Sequence, residues 1–247
     1  MPRHFLVVGA QRSGTTWLHD QLAGHPRIAM ARPATPEPKV FLSPGPVDAD
    51  AYRARFFGHA REGDLLGEKS TSYLESESAP DRVAETLGEP QIVVQLRDPV
   101  ARAVSNWSFS RDHGVETRSL SEALRANLEG PAPWDPASSS VSPFAYLERG
   151  RYADDLARWC DRFPVHVQFL EEMLAEPDRI GTLFGWLGVD DGVRPGGDEA
   201  PVNASSTVGD ELDDDLLSQL RDYFADSDAA LARMLDRALP WTDRLTP

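Results

Sequence analysis

The residues in this chain best suited to chemistry begin near its amino terminus. Between the apolar run Phe5-Leu-Val-Val8 and the apolar pattern Trp17, Leu18, Leu22 lies Gly9-Ala-Gln-Arg12-Ser13-Gly14-Thr15-Thr16. A strand, a glycine-containing polar loop and a helix in that order make a phosphate-binding loop. Backbone N–H groups from Ser13 to Thr16, without partners at the helix start, converge on one anion together with the positive end of the helix dipole. The nucleotide-hydrolase form of this loop is G-x-x-x-x-G-K-[ST]. Gly9, Gly14 and Thr16 fit it, but the lysine position holds Thr15, and the cation stands two residues ahead of the second glycine, at Arg12. An ATP-using enzyme of that type would lack its point charge on the outer phosphates.

Lysine occurs only at Lys39 and Lys69, in a chain whose other cationic side chains are arginines. Lys39 sits in the proline-rich stretch Arg32–Pro46, within Glu37-Pro38-Lys39-Val40-Phe41; its prolines fix φ and remove donors, which predicts no regular structure. An irregular loop of this kind is an active-site wall or a surface excursion. Lys69 follows Leu65-Leu-Gly-Glu68, a strand running into a loop, and on structural grounds alone would pair with Glu68 at the surface. A third cluster is Arg97-Asp98-Pro99-x-x-Arg102-x-x-Ser105-x-Trp107. It follows the buried-strand signal Gln91–Leu96, and the proline marks a helix start. Arginine supplies the bidentate fork a phosphate dianion accepts, and serine a neutral donor, where α/β sheets bind ligands. His59, after a short helix over Tyr52–His59 that ends at Gly58, titrates in the range useful to a general base.

These elements alternate as α/β proteins do. Helices are predicted over Thr15–Ala23, Ala79–Leu87, Ser119–Leu128, Glu148–Phe163 and Ile180–Leu187, then two terminal ones over Leu212–Phe224 and Asp226–Leu239. Ser119 and Glu122 fit a capping box, and Val165–Leu170 reads as a further strand. Gly130–Pro143 is a long Pro/Ser-rich loop suited to a lid over an acceptor. Tyr152, Leu156, Trp159 and Phe163 form a helical apolar stripe that reads as core. Cys160, the one cysteine, excludes an internal disulfide and a cysteine-only metal site, and beside Trp159 it reads as a core thiol.

The segment Arg12-Ser-Gly-Thr-Thr-Trp17 resembles the 5′-phosphosulfate loop, [KR]-[ST]-G-T-T-[WFL], of sulfotransferases that use 3′-phosphoadenosine 5′-phosphosulfate. Arg97–Ser105 resembles the same family's 3′-phosphate motif, R-D-P-x-x-R-x-x-S. Glu37–Phe41 is similar to its K-E-P-x-x-F segment, which lines the acceptor pocket, and Gly67–Tyr73 to its G-E-K-[ST]-x-x-Y segment. The run Gly150-x-Tyr152 to Phe163 is similar to an architectural element of the family, and Leu239-Pro240-Trp241 to the ends of small bacterial members. The resemblance implies a three-layer α/β/α fold with a mostly parallel sheet, akin to P-loop kinases, as one domain over 1–247.

It also implies a set of roles. The donor's phosphosulfate would lie on Arg12, Ser13, Gly14, Thr15 and Thr16, and its 3′-phosphate on Arg97 and Ser105. Trp17 would stack on adenine or belong to the core. Glu37 would take the acceptor's proton, with His59 as the rival base, while Arg12 and Lys69 stabilise the leaving oxygen. The loop Gly192–Ser206 lacks the K-G-x-x-G form of the steroid and phenol enzymes; Asn203 and Ser205 are its candidate cofactor contacts. The implied products are a sulfated acceptor and adenosine 3′,5′-bisphosphate, formed without a metal. The alternatives are an ATP-using P-loop kinase and a non-catalytic nucleotide-binding protein.

Charge narrows the partners. At 247 residues and a net charge of −15, the chain lacks the basic face nucleic acid needs, and the same sign disfavours polyanionic acceptors. A small sugar, lipid or natural-product acceptor is expected. No apolar run reaches the length of a membrane span and no charged-then-apolar leader precedes the first strand, so a soluble, cytoplasmic protein is expected.

Overall fold

The computed structural model describes residues 2–135, 141–196 and 212–242. The chain divides into two compact units, Met1–Leu96 with Asp155–Val202, and Arg97–Asp154 with Asn203–Pro247.

The first unit is built on a five-stranded sheet whose pairings are all parallel, in the order β2-β3-β1-β4-β5. The strands are β1 His4–Gly9, β2 Ile28–Met30, β3 Leu65–Lys69, β4 Gln91–Leu96 and β5 Val165–Phe169. Every residue of β1 and all but the first of β4 are buried. Their sequences are therefore continuous apolar runs rather than alternating ones, as strands covered on both faces require. Helices α1 Thr15–Ala23, α2 Ala49–Phe57 and α3 Ala79–Leu87 connect the first four strands, and α7 Leu170–Ala175 and α8 Ile180–Leu187 follow β5. Trp17, Leu18 and Leu22 of α1 pack with Phe5, Val7 and Val93 of the sheet and with Leu183, Phe184 and Leu187 of α8.

Parallel pairing has one consequence for function: the loops leaving β1 and β3 emerge side by side. Val7 pairs with Lys69, Leu74 N–H donates to the Val8 carbonyl at 2.9 Å, and Gln11 Nε2 donates to Ser72 Oγ at 2.7 Å. The anion loop and the segment after Lys69 are thus one continuous surface at the carboxyl ends of the strands, where such sheets bind ligands.

The second unit is helical. It contains α4 Pro99–Asp112, α5 Leu120–Leu128, a 3-10 turn at Glu148–Gly150 and α9 Asp214–Leu235. Its core joins Val100, Ala103 and Trp107 to Leu120 and Leu124 and to Leu216, Leu220 and Phe224. The expected capping box is present, with Ser119 Oγ accepting the Glu122 N–H and the Glu122 carboxylate accepting the Ser119 N–H. Arg125 pairs with Asp213, the residue that caps α9. Helix α6, Tyr152–Cys160, carries its first residues in this unit and the rest in the first.

Several boundaries differ from the sequence expectation. The two terminal helices are one, α9, because no glycine or proline lies between Asp213 and Asp236; it stops where Asp236 takes a left-handed conformation. The helix expected over Glu148–Phe163 is divided into the 3-10 turn and α6, and Phe163 lies beyond its end. Cys160 ends α6 facing solvent, so it is not a core thiol. The proline-rich stretch contains a 3-10 turn at Val40–Leu42. Helix α2 begins earlier than expected because Asp48 caps it by accepting the Ala51 N–H at 2.7 Å. Among the described residues, no helix is long and apolar enough to cross a membrane.

Candidate functional site

The anion loop is shaped by backbone that few residues adopt. Arg12 has φ 65° and Gly14 φ 76°, both left-handed. At Gly14 an added Cβ would also come within 2.6 Å of Leu170 Cδ1, so only glycine fits without displacement. The first bond within α1 runs from Leu18 N–H to the Gly14 carbonyl, which leaves the N–H groups of Thr15, Thr16 and Trp17 without intrahelical acceptors. Gln95 Nε2 holds the Ser13 carbonyl at 2.6 Å, and Gln168 Nε2 in turn holds Gln95 Oε1 at 2.7 Å, so two neighbouring strands fix the loop from beneath. Ser13 is fully buried and its hydroxyl has no hydrogen-bond partner. Buried polar atoms are normally satisfied. An orphan hydroxyl beside convergent N–H groups suits a phosphosulfate or phosphate oxygen.

Beside this loop lies a largely buried ion pair. Lys69 Nζ donates to Glu37 Oε1 at 2.8 Å, with side chains only 10% and 16% exposed. Thr71 completes the carboxylate's setting: its N–H donates to Oε2 at 3.1 Å, and its hydroxyl lies 3.2 Å from each oxygen. Glu37 and Lys69, from segments 32 residues apart, are therefore brought together. The alternative pairing of Lys69 with Glu68 does not occur, because adjacent strand residues point to opposite faces.

Glu68 instead turns inward and organises the site from behind. It is fully buried and accepts three hydroxyl hydrogen bonds, from Tyr52 at 2.5 Å, Ser70 at 2.6 Å and Tyr73 at 2.7 Å. Burial pushes its carboxyl above the ordinary range, against the lowering effect of those bonds. Two of these hydroxyls also accept backbone N–H groups of the proline-rich loop: Ser70 Oγ from Lys39 at 3.0 Å and Tyr73 Oη from Phe41 at 3.2 Å. Lys39 itself has φ 49°. Of the three non-glycine residues with positive φ among those described, two, Arg12 and Lys39, lie at this site, where stored backbone strain concentrates. The network was not visible in sequence. Its one signal was a carboxylate following the apolar run Leu65-Leu-Gly67 within a strand, with Ser70 and Tyr73 coming within five residues.

The remaining expected site residues are placed as follows. Trp17 is 5% exposed within the first unit's core, the core alternative of the two. His59 is exposed and lines a cavity of about 450 Å³ with His19, His25, Arg32 and Asp64, whose walls include neither Glu37 nor Lys69. Partial burial, then Arg32, lowers its pKa. Arg97 and Ser105 belong to the second unit, both half-buried. Between them, Arg102 is fully buried and donates to the Tyr146 carbonyl, so the second arginine of that motif is a scaffold residue. Asn203 and Ser205 lie outside the described residues. No group of three or more His, Cys, Asp or Glu among the described residues could hold a metal ion.

The model of the sulfotransferase domain family matches residues 2–178. The chain belongs to the sulfotransferase family. It is 30% identical over 168 residues to bifunctional heparan sulfate N-deacetylase/N-sulfotransferase 2 of Bos taurus, an alignment covering 65% of this chain but only 18% of that protein. It is 29% identical over 191 residues to heparan sulfate glucosamine 3-O-sulfotransferase 6 of Mus musculus, covering 74% of this chain and 52% of that one. A solved structure, the sulfotransferase from Alicyclobacillus acidocaldarius, is 26% identical with a TM-score of 0.78, over 97% of this chain and 98% of that chain. The sulfotransferase domain from the curacin biosynthetic pathway shares the fold, at a TM-score of 0.54 and 15% identity. The family's donor is 3′-phosphoadenosine 5′-phosphosulfate, and the sulfotransferase α/β fold with its central parallel sheet is the one described above.

Proposed function

We propose that this protein transfers a sulfuryl group from 3′-phosphoadenosine 5′-phosphosulfate to a hydroxyl or amine of a small acceptor. The observation that carries this is the Glu37–Lys69 pair, hydrogen-bonded at 2.8 Å, on the surface that continues from an anion loop whose cation is Arg12. The anion loop, Ser13 to Thr16, would hold the phosphosulfate, and the orphan Ser13 hydroxyl fits one of its oxygens. Arg97 and Ser105 are proposed for the 3′-phosphate on their motif alone, and Asn203 and Ser205 for further contacts to the nucleotide.

In the reaction, the acceptor's oxygen or nitrogen forms a bond to sulfur as the bond from sulfur to the bridging oxygen breaks in line. Glu37 takes the acceptor proton, already oriented by Thr71. Lys69 and Arg12 face the negative charge that grows on the leaving oxygen. As in phosphoryl transfer, positioning and charge neutralisation supply most of the rate. When Lys69 turns toward the sulfuryl group it frees the Glu37 oxygen it holds to accept the acceptor's proton, so donor binding and base availability are coupled.

The acceptor is proposed to be a small neutral or cationic molecule rather than a polyanion. Net charge is −15, and the stretch 31–63 that would line the acceptor pocket holds five basic residues (Arg32, Lys39, Arg53, Arg55, Arg61) against four acidic ones (Glu37, Asp48, Asp50, Glu62). That is no basic cleft of the kind a sulfated chain needs. A cytoplasmic location is proposed from composition, since a single cysteine leaves no internal disulfide.

Calorimetry with adenosine 3′,5′-bisphosphate and with ATP plus magnesium tests the donor assignment, and transfer of labelled sulfate to pools of small acceptors and to heparan-type chains tests the acceptor. Tight bisphosphate binding with transfer to small acceptors is expected. Preference for ATP, or transfer confined to the polyanion, overturns the corresponding half.

A further inference from the structure

The turn that carries Arg97 is held from two sides by groups that no motif joins to it. Asp98 caps α4, its Oδ1 accepting the Val100 N–H at 2.9 Å. Both its oxygens are also taken by one guanidinium: Arg221 Nη1 donates to Oδ1 and Nη2 to Oδ2, each at 2.7 Å. The side chains are 21% and 10% exposed. Two parallel charge-assisted bonds in this fork geometry fix direction as well as distance. One residue earlier, the Arg97 carbonyl accepts the Tyr152 hydroxyl at 2.8 Å, and Tyr152 is 1% exposed.

The backbone of Arg97 is therefore clamped between Tyr152 on its carbonyl and Arg221 on the next side chain. Because Asp98 also caps α4, the same fork sets the start of the helix that carries Ser105. Arg221 stands on α9, 123 residues further along the chain, and beyond the residues 2–178 that the family model covers.

We infer that Arg221 is a positioning residue for recognition of the nucleotide's 3′-phosphate, acting through Asp98 on Arg97 and on the helix of Ser105. This rests on the proposed role of Arg97 and Ser105. A lysine in its place keeps the charge beside Asp98 but loses the fork, so Arg97 and α4 lose their fixed relation while the ion pair survives.

The test compares two probes by calorimetry, adenosine 3′,5′-bisphosphate and adenosine 5′-monophosphate, which lacks the 3′-phosphate. Arg221→Lys and Arg221→Ala are expected to weaken the bisphosphate about tenfold, the scale on which residues remote from a ligand alter its affinity. The monophosphate should change by less than about twofold. Equal loss for both nucleotides marks a merely structural role and overturns the inference, as does unchanged bisphosphate affinity in either folded variant. If Arg221→Ala does not fold, Arg221→Lys decides. Arg97→Ala is the control: if it too fails to narrow the gap between the nucleotides, the 3′-phosphate role of Arg97 has failed. If it closes the gap while Arg221→Lys does not, only the role of Arg221 has failed.

Discussion

Replacing Glu68 by glutamine isolates the buried network behind the site. Oε1 accepts from Ser70 and Tyr73, and Oε2 from Tyr52. An amide keeps one oxygen, hence two of these acceptor relations, and sets an NH2 group against the Tyr52 hydroxyl. One charge-assisted bond is lost and two become neutral; at about 1.5–3 kcal/mol for the first kind and about 0.5–1.5 for the second, the gross loss is about 3.5–6 kcal/mol. Relief from burying a charge works in the opposite direction. Burial, the first cause of the raised pKa, offsets part of that loss, so the variant should be destabilised by less than the gross figure.

The pH dependence gives the sharper test. A carboxyl whose folded pKa lies above its unfolded value near 4.5 contributes stability that is complete below 4.5 and is lost as pH rises through the folded pKa. The glutamine variant has no such term, so the gap between wild type and Glu68→Gln should narrow as pH rises. Urea melts of both proteins between about pH 5 and 8 measure it, because every other titration cancels in the difference. A gap that widens with pH means that the three hydroxyls outweigh burial and that Glu68 is a stabilised carboxylate, contrary to the reasoning. Turnover should fall as well, since Ser70 and Tyr73 hold the N–H groups of Lys39 and Phe41 beside Glu37.

Glu37→Gln should lower kcat by about 10²–10⁴, the usual contribution of a general base, with bisphosphate affinity by calorimetry nearly unchanged; full turnover would move proton removal to His59 or to the acceptor itself. Gly14→Ala should cost about 1–2 kcal/mol for its left-handed backbone and more for the contact with Leu170, abolishing nucleotide binding. Gly45→Ala is the comparison, since that glycine also has positive φ but nothing stands within 4 Å of an added Cβ; its thermal shift should reflect backbone alone. Asp228 is raised to about 6, by burial first and then by Asp98, while Trp241 Nε1 and Arg221 act to lower it. Stability from this group is full below its unfolded value of 3.8 and is lost as pH rises through about 6. Asp228→Asn should therefore flatten the stability profile over that window in urea melts.

Where the sequence contains its own stop signals, the fold was legible to the residue. Helices α1, α3 and α8 end at Gly24, Gly88 and Gly188, and their ranges match the sequence expectation. Strand β4 was bounded by Pro90 before and Pro99 after. The boundaries differ from expectation where no local signal exists. Leu216, Leu220, Phe224, Ser227 and Leu231 form one buried stripe along α9, and dividing it at Ala225 imposed a break with no glycine, proline or cap to make it. The 3-10 turn that divides Glu148–Phe163 packs Gly150 closely, an added Cβ there meeting Phe224 at 2.6 Å and Pro99 at 3.0 Å. Those partners are remote in sequence.

The same boundary separates what was visible in the site from what was not. Residue types that meet a ligand recur at short, fixed spacing because one loop or one helix turn must present them together, and Arg12 to Thr16 and Arg97 to Ser105, proposed to hold the donor, stand out for that reason. Residues that meet each other need no spacing. Glu37 and Lys69 were each singled out, yet nothing local says that they pair, and the strand neighbour Glu68 looked the simpler partner for Lys69. Period-two alternation decides it: if Lys69 faces the ligand end of the sheet, Glu68 must face the interior. A buried carboxylate then has to find donors, and Tyr52, Ser70 and Tyr73 supply them. The motif G-E-K-S-T-S-Y is thus two sets of contacts interleaved on one segment: its lysine pairs with Glu37, the proposed base, while its glutamate, serine and tyrosine hold the loop that carries Glu37.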